Sequence, residues 1–341
     1  TSILDRYYEY DKELINKLLN IRQKITNPEG LTKYINEIND LEREITLFHA
    51  KAVNETLEMS KFSVDLIGFH GQTIFHDSEK KITKQLGDGK LLSQLTRKKV
   101  VYNFRQNDLE NGGQGAPLTP IFHNALANKI NKKFKLEFPI NILNIGGIAN
   151  ITSTINWENL ELNDDIYAYD IGPGNCLIDE WIRKNSKRKY DKDGSIARSG
   201  KLDELTFNQA LENFNKISSY EKSLDVKDFD IFFAKGLSLE NGATTITHFT
   251  AKLIADGMKY LHDNERHNVY NWLVCGGGRK NKYLIEKIKS NFEKIQIDLI
   301  DKYEIDGDFV ESQAFAFLAI RSLEGMHISF PNTTRCKESI S

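Results

Sequence analysis

Apolar residues recur at helical spacing through the N-terminal part of the chain. Leu14 and Leu18 follow Asp11, which predicts a helix whose N-terminal cap is that aspartate. Between residues 31 and 57 the apolar positions predict a long amphipathic helix with lysine and glutamate on its outer side. We therefore expect the chain to open with helices.

Short apolar runs and helical patterns alternate along the rest of the chain, which indicates an α/β fold. Residues 184–230 are polar and show no regular period, and no internal repeat is visible. Strands are expected at residues 64–69, 99–104, 166–170 and 272–275, a hairpin at 140–152, and helices at 125–133, 176–184, 237–262, 282–292 and 311–323.

Composition narrows the class of protein. The chain has 341 residues, of which 40% are hydrophobic and 28% charged, as in globular proteins with one large or two medium domains. A net charge of -2 with interspersed signs argues against a nucleic-acid binder. Three cysteines without a CxxC pair favour a reducing compartment, and no apolar run reaches the length of a membrane span. The chain opens at Thr1, so a cleaved upstream signal stays an open alternative.

Three glycine-rich turns follow short apolar strands, at residues 146–147, 172–175 and 276–278. Glycine leaves backbone N–H groups accessible and lets a phosphate approach closely, and a helix that begins there adds its dipole. Each turn alone could be only a tight turn. Together they favour a nucleotide site, while P-loop, GxGxxG, GxSxG and HExxH motifs are absent from the sequence.

Four side chains are candidates for chemistry. Asp170 ends a predicted strand beside a glycine turn, where it could cap the turn, bind Mg²⁺ or accept a proton. His70 lies in a polar His-Gly-Gln-Thr turn that suits a hydroxylated ligand, although a lone histidine is more often structural. Arg105 could bind a carboxylate or lie at the surface. Glu311 opens a helix, where the dipole favours an acid.

These segments, taken in order, resemble the anhydro-N-acetylmuramic acid kinase family. The similar blocks are Ile-Gly-Phe-His-Gly-Gln-Thr at 67–73, Gln-Leu-Gly-Asp at 85–88, Asn-Phe-Arg at 103–105 with Asp108, Gly-Gly-Gln-Gly-Ala-Pro-Leu at 112–118, Leu-Asn-Ile-Gly-Gly-Ile-Ala-Asn at 143–150, Asp-Ile-Gly-Pro-Gly-Asn at 170–175, Tyr-Asp-Lys-Asp-Gly at 190–194, and Val-Cys-Gly-Gly-Gly at 274–278 with Asn281. Each block is weakly specific, whereas the ordered set is highly specific.

The resemblance implies a two-lobed actin-like (RNase H-like) ATPase fold with ATP and sugar in the cleft between the lobes. We expect one lobe at residues 1–112 plus 324–341 and the other at 113–323. We expect a cytoplasmic protein, and the family suggests a homodimer, although the long first helices could equally pack within one chain. No partner that is a nucleic acid or a membrane is expected.

The resemblance also implies an activity in cell-wall recycling. ATP with Mg²⁺ phosphorylates O6 of 1,6-anhydro-N-acetylmuramic acid while water opens the anhydro bridge at C1, which gives N-acetylmuramic acid 6-phosphate. Asp170 corresponds to the general base, and no metal ligand is assigned. His70, Gln72, Arg105 and Glu311 correspond to the sugar site, and Gly146, Gly147, Asn150, Gly172, Gly174, Asn175, Gly276, Gly277, Gly278 and Asn281 to the ATP site.

The chain also departs from the family pattern. The family's Gly-x-Met-Ser-Gly-Thr-Ser-x-Asp-Gly loop has no counterpart before Tyr7, so we expect a chain truncated at its start. Gln106 and Asn107 replace basic residues, and residues 222–225 read Lys-Ser-Leu-Asp instead of Lys-Ser-Thr-Gly. The alternatives are another actin-like sugar kinase or phosphatase, or a nucleotide-binding protein without catalysis.

Overall fold

The computed structural model describes residues 3–154, 156, 166–215, 220, 222–264 and 271–341. The chain divides into two compact units. Unit 1 comprises Thr1–Thr119 with Glu311–Ser341, and unit 2 comprises Pro120–Val310. The expected lobes divide the chain at residues 112 and 323, whereas the compact units divide it at residues 119 and 310.

Unit 1 packs helices around two small pairs of strands. β1 and β4 pair in parallel, and β2 and β3 form an antiparallel hairpin. An apolar cluster joins the first and third helices to this hairpin. The elements are α1 (Lys12–Lys24), α2 (Pro28–Lys33), α3 (Ile35–Met59), β1 (Leu66–Phe69), β2 (Gln72–Asp77), β3 (Ile82–Leu86), α4 (Gly89–Thr96), β4 (Lys99–Tyr102), α5 (Gln106–Glu110), α12 (Val310–Leu323) and α13 (Pro331–Thr334).

The predicted N-terminal cap is present, because Oδ1 of Asp11 accepts a hydrogen bond from the amide of Leu14 at 2.8 Å. The long helix expected from residue 31 is shorter at its start. Asn27 and Pro28 begin a separate short helix, α2, and α3 starts only at Ile35. An asparagine cap followed by proline is a common helix start, and the hydrophobic period alone did not separate the two helices.

Unit 2 is built on a five-stranded sheet with the order β7-β6-β5-β8-β9. β6 is antiparallel to both of its neighbours, while β5, β8 and β9 are parallel. Counted along the unit, the order is 3-2-1-4-5 with an antiparallel second strand, and helices follow several of the strands, which confirms the expected α/β class. The elements are α6 (Pro120–Phe134), β5 (Ile140–Ile145), β6 (Ile148–Thr154), β7 (Tyr167–Pro173), α7 (Cys176–Asn185), α8 (Ser195–Ser199), α9 (Glu204–Asn215), α10 (Leu239–Asn264), β8 (Asn271–Cys275), α11 (Lys282–Lys289) and β9 (Gln296–Leu299).

Three expectations in unit 2 need correction. The strand expected to end at Asp170 continues to Pro173, and Gly172 has a φ of +153° within it. Residues 184–230 contain the helices α8 and α9, although positions 216–219 and 221 of this stretch lie outside the described residues. The helix expected to reach residue 292 ends at Lys289. Within the described ranges, none of the helices is long and apolar enough to cross a bilayer.

Candidate active site

The three glycine turns of unit 2 lie against one another. The amide of Gly174 donates a hydrogen bond to the carbonyl of Gly147 at 2.9 Å, and the amide of Asn175 donates one to the carbonyl of Gly146 at 2.7 Å. A Cβ atom on Gly278 would lie 3.1 Å from Oδ1 of Asn175. The three turns predicted from the sequence therefore form one continuous surface, which we call the glycine surface.

Some of these glycines are required by the packing of the turns themselves. A Cβ on Gly174 would lie 2.2 Å from the carbonyl oxygen of Gly146, and a Cβ on Gly278 would lie 2.2 Å from Cγ2 of Ile145. Gly276 has a φ of +78°, a conformation that other residues rarely adopt. Larger residues at these positions would separate the turns.

Other glycines of the surface have room for a side chain. The nearest described atom to a Cβ would be 3.5 Å away at Gly146 and 3.7 Å away at both Gly147 and Gly277, which are ordinary contact distances. The packing of the protein therefore does not require glycine at these positions. A closely approaching phosphate would require it, because only glycine leaves the backbone amides uncovered.

A row of polar side chains crosses the sheet beside the glycine surface. Cys275 on β8 pairs with Asn144 on β5, Asn144 pairs with Asn150 on β6, and Asn150 pairs with Asp170 on β7. Directly opposed residues project from the same face of a sheet, so these side chains are lateral neighbours. Oδ1 of Asn150 is buried and has no hydrogen-bond partner among the described residues, so it is an acceptor that a ligand could satisfy.

Asp170 is 6% exposed and is held by a loop that is distant in sequence. Its Oδ2 accepts hydrogen bonds from Oγ of Ser223 at 3.2 Å and from the amide of Leu224 at 2.8 Å. The sequence predicted a strand end for Asp170 but no partner. The only sequence signal for the loop was its partial match to the Lys-Ser-Thr-Gly segment of the family.

Asn175 and Asn281, which were expected to bind ATP, both lie at helix starts. Asn175 precedes α7 and makes no side-chain cap, whereas Oδ1 of Asn281 caps α11 by accepting from the amide of Leu284 at 3.0 Å. A Cβ atom on Gly194 would lie only 2.3 Å from Oδ1 of Asn281, so glycine is needed there for the asparagine to fit. The side chain of Asn281 thus fixes the end of the third turn, and its contact with ATP stays a prediction.

Arg279, which sequence analysis did not select, ties the third turn to a neighbouring loop. The guanidinium is 4% exposed and pairs with Asp301 at 2.7 Å and with Asp308 at 2.7 Å. Its Nη1 also donates to the carbonyl of Gly276 at 3.1 Å. These acids raise the pKa of Arg279 against the opposing effect of burial, so the cation persists as a cross-link.

In unit 1, His70 and Arg105 form a hydrogen-bonded pair. Nε and Nη2 of Arg105 lie 3.2 Å and 2.9 Å from Nε2 of His70, and Nη1 donates to the carbonyl of Gly115 at 2.7 Å. Burial, followed by the charge of Arg105, lowers the pKa of His70 to about 3. The imidazole is therefore neutral, with Nε2 accepting from Arg105 and Nδ1 donating to the carbonyl of Gly71 at 3.0 Å.

This geometry makes His70 a support for Arg105. Both ring nitrogens are engaged within the protein, so direct sugar binding by His70 stays a prediction, whereas the orientation of the guanidinium depends on it. The ring also lies 4.2 Å, centroid to centroid, from that of Phe315 on α12. Glu311 is exposed one helical turn before Phe315, and Gln72 begins β2 two residues after His70. The four predicted sugar-site residues all lie in unit 1, where His70 and Arg105 are in contact.

Asp108 anchors the glycine-rich loop beside this pair. It is 1% exposed, and its Oδ2 accepts from the amide of Gly115 at 2.6 Å while its Oδ1 accepts from Oγ1 of Thr334 at 2.6 Å. A Cβ on Gly113 would lie 2.1 Å from the same carboxylate. The sequence identified Asp108 only as part of a motif, because its partner Thr334 lies near the other end of the chain.

Comparison with known proteins agrees with these features. A family model described as anhydro-N-acetylmuramic acid kinase matches residues 3–341. The chain belongs to this family.

Curated members of the anhydro-N-acetylmuramic acid kinase family match over most of their length. The protein of that name from Pelagibacter ubique (strain HTCC1062) is 51% identical over 338 residues, which cover 98% of this chain and 88% of the relative. The one from Brucella canis is 38% identical over 311 residues, covering 89% and 80%. The one from Rhodospirillum rubrum is 36% identical over 314 residues, covering 92% and 79%.

Proposed function

We propose that this family member is an ATP-dependent kinase of cell-wall recycling. It converts 1,6-anhydro-N-acetylmuramic acid and water to N-acetylmuramic acid 6-phosphate and opens the anhydro ring in the same reaction. The observation that carries the proposal is the position of Asp170. It is a buried carboxylate, held by two hydrogen bonds, next to the glycine surface, in which Gly146, Gly147 and Gly277 have room for a side chain.

The glycine surface is the proposed place of the ATP phosphates. The start of α7 provides partial positive charge there, and phosphoryl transfer depends mainly on positioning and charge neutralisation. Magnesium would supply further neutralisation of the phosphates when bound. The described residues contain no group of three acidic, histidine or cysteine side chains that could hold a metal.

Asp170 is the proposed general base. Its carboxylate takes a proton from water as the water oxygen bonds to C1 of the sugar. The bond from C1 to O6 breaks, O6 keeps the electron pair and attacks the γ-phosphorus, and ADP leaves. Because positive charge develops at C1, a nearby carboxylate also stabilises this step electrostatically. One acid thereby couples hydrolysis to phosphorylation.

Arg105 is the proposed ligand of the lactyl carboxylate of the sugar. A guanidinium binds a carboxylate through paired, charge-assisted hydrogen bonds, and His70 and the carbonyl of Gly115 keep it in one orientation. Gln72 and Glu311 lie in the same region and are proposed to bind hydroxyl groups. The cytoplasmic location is also a proposal and rests on the fact that none of the three cysteines is disulfide-bonded. The homodimer stays a prediction.

A substrate panel with isotope analysis tests the proposed function. The anhydro sugar should be turned over far faster than glucose or N-acetylglucosamine, which lack the lactyl carboxylate. In ¹⁸O-water the label should enter C1 of the product and be absent from the phosphate. Equal activity on glucose would contradict the substrate, and label in the phosphate would contradict the coupled mechanism.

A further inference from the structure

We propose that Ser223 is a positioning residue for Asp170, delivered by the loop of residues 222–226. This inference rests on the proposed role of Asp170 as the general base. It goes further because it assigns a task to a loop in which the chain departs from the family pattern.

The contact between the loop and the carboxylate is specific. Ser223 is 7% exposed, and its hydroxyl and the amide of Leu224 donate to the same oxygen, Oδ2 of Asp170. Two donors on one oxygen fix the rotation of a carboxylate about its bond to the chain. Hydrogen bonds to a charged acceptor are also about twice as strong as neutral ones, so the two donors hold the carboxylate firmly in this orientation.

The loop reaches the glycine surface as well. Cγ2 of Val226 lies 3.7 Å from the position of a Cβ on Gly147, so the loop covers part of the first glycine turn. The same short segment therefore contacts the proposed base and the proposed phosphate site. Its position would change the orientation of the carboxylate and the access to the turn together.

The far side of the loop is fastened to the core of unit 2. Asp225 and Asp228 form a reciprocal cap, in which the amide of Asp225 donates to Oδ2 of Asp228 at 2.8 Å and Oδ1 of Asp225 accepts from the amide of Lys227 at 3.1 Å. Phe229 then stacks on Phe214 of α9 with the ring centroids 5.8 Å apart. A loop with such an anchor can hold Ser223 in place.

Replacement of the hydroxyl provides the test. Ser223→Ala should lower the single-turnover rate about tenfold, because one charge-assisted hydrogen bond is lost while the amide of Leu224 remains. The KM for the sugar should stay within about twofold, since the residue acts on the reacting step. Ser223→Thr, which keeps the hydroxyl, should recover most of the rate. As a matched control, Ser186→Ala removes a hydroxyl that donates to the carbonyl of Ile182 at the end of α7 and should leave the rate unchanged.

A double substitution separates this inference from the proposed function. In the Asp170→Asn background Ser223→Ala should have almost no further effect, because the two residues act through one carboxylate. A similar loss of rate in both backgrounds, or a normal rate for Ser223→Ala, would overturn the positioning role. A near-normal rate for Asp170→Asn would instead overturn the proposed base, and the positioning role with it. Thermal melting of each variant identifies any loss that comes from unfolding.

Discussion

The two regions proposed to bind substrates are built in different ways. The glycine surface of unit 2 consists mainly of backbone atoms, and its shape depends on the absence of side chains at positions such as Gly147 and Gly277. The region around Arg105 in unit 1 consists of side chains that hold one another, with His70 and Asp108 supporting the arginine and its loop. A backbone surface fails when atoms are added, whereas a side-chain cluster fails when a partner is removed.

This difference suits the two proposed ligands. Phosphates are charged in the same way in every nucleotide, so main-chain amides suffice to bind them. A sugar acid must be distinguished from neutral sugars, and a fixed guanidinium can do so.

The largest effect is expected for Asp170→Asn, which preserves the shape of the side chain and removes the base. The turnover rate should fall by about 10²–10⁴ if the carboxylate transfers a proton. The KM for the sugar should change little, because the groups proposed to bind the sugar lie in unit 1. Steady-state kinetics with the anhydro sugar measure both quantities. A near-normal rate would contradict the role of Asp170 as the general base and would leave it only a structural role in the turn.

The second effect is expected for Arg105→Ala. The loss of a hydrogen bond to a charged group costs about 1.5–3 kcal/mol, which corresponds to a rise of about 13- to 160-fold in the KM for the sugar. The KM for ATP should not change. His70→Ala should raise the KM for the sugar less, and the two substitutions together should do no more than Arg105→Ala alone. Additive losses would show that His70 binds the sugar by itself.

The third effect separates the two classes of glycine. Gly147→Ala and Gly277→Ala have room for the new methyl group, so their melting temperatures should stay close to that of the unchanged protein. Their KM for ATP should nevertheless rise about tenfold, because the methyl group would cover amides used by the phosphates. Gly174→Ala is the contrasting variant, since its Cβ would lie 2.2 Å from a backbone oxygen and should lower stability. An unchanged KM for ATP in Gly147→Ala and Gly277→Ala would contradict the proposal that the phosphates of ATP bind at this surface.

The same distinction explains how much the sequence could predict. The glycine turns could be predicted because a binding site made of backbone atoms requires glycines next to strands, and these are visible in the sequence. Pairs of side chains are not readable in this way, because Asp108 meets Thr334 in unit 1 and Asp170 meets Ser223 in unit 2 only after the chain has folded. Contacts between residues so far apart along the chain are set by tertiary structure.

Two secondary-structure elements were not predicted from the sequence, and a local feature of the chain explains each case. The hairpin of β2 and β3 was not predicted because its connection contains no glycine, proline or asparagine, and Lys81 adopts the positive φ of 57° instead. The helix α9 had a readable signal in the apolar residues Phe207, Leu211 and Phe214, which the polar surroundings concealed.

The smallest effect is expected near neutral pH, where His70 should not titrate. Its pKa is lowered to about 3, so the ring stays neutral and the KM for the sugar should show no transition near pH 6.5 that depends on His70. NMR of the imidazole should show a constant shift between pH 5 and 8 in the unchanged protein. In Arg105→Ala the pKa of His70 should rise, because a neighbouring cation is removed.

The lowered pKa of His70 makes the folded protein less stable at acidic pH. Between pH 6.5 and 3 the unfolded chain binds a proton at His70 that the folded chain does not, so stability falls as the pH falls through this window. The slope is about 1.4 kcal/mol per pH unit for one such group. His123 in unit 2 is buried, its pKa is also lowered to about 3, and it should add an equal slope. Denaturant unfolding at pH 7 and pH 5 measures the sum over all such groups, which also include His49 and His248, whose pKa values are lowered by burial. His123→Asn should therefore reduce the change in stability by the share of one group. An unchanged slope in that variant would mean that His123 does not contribute to the acid sensitivity.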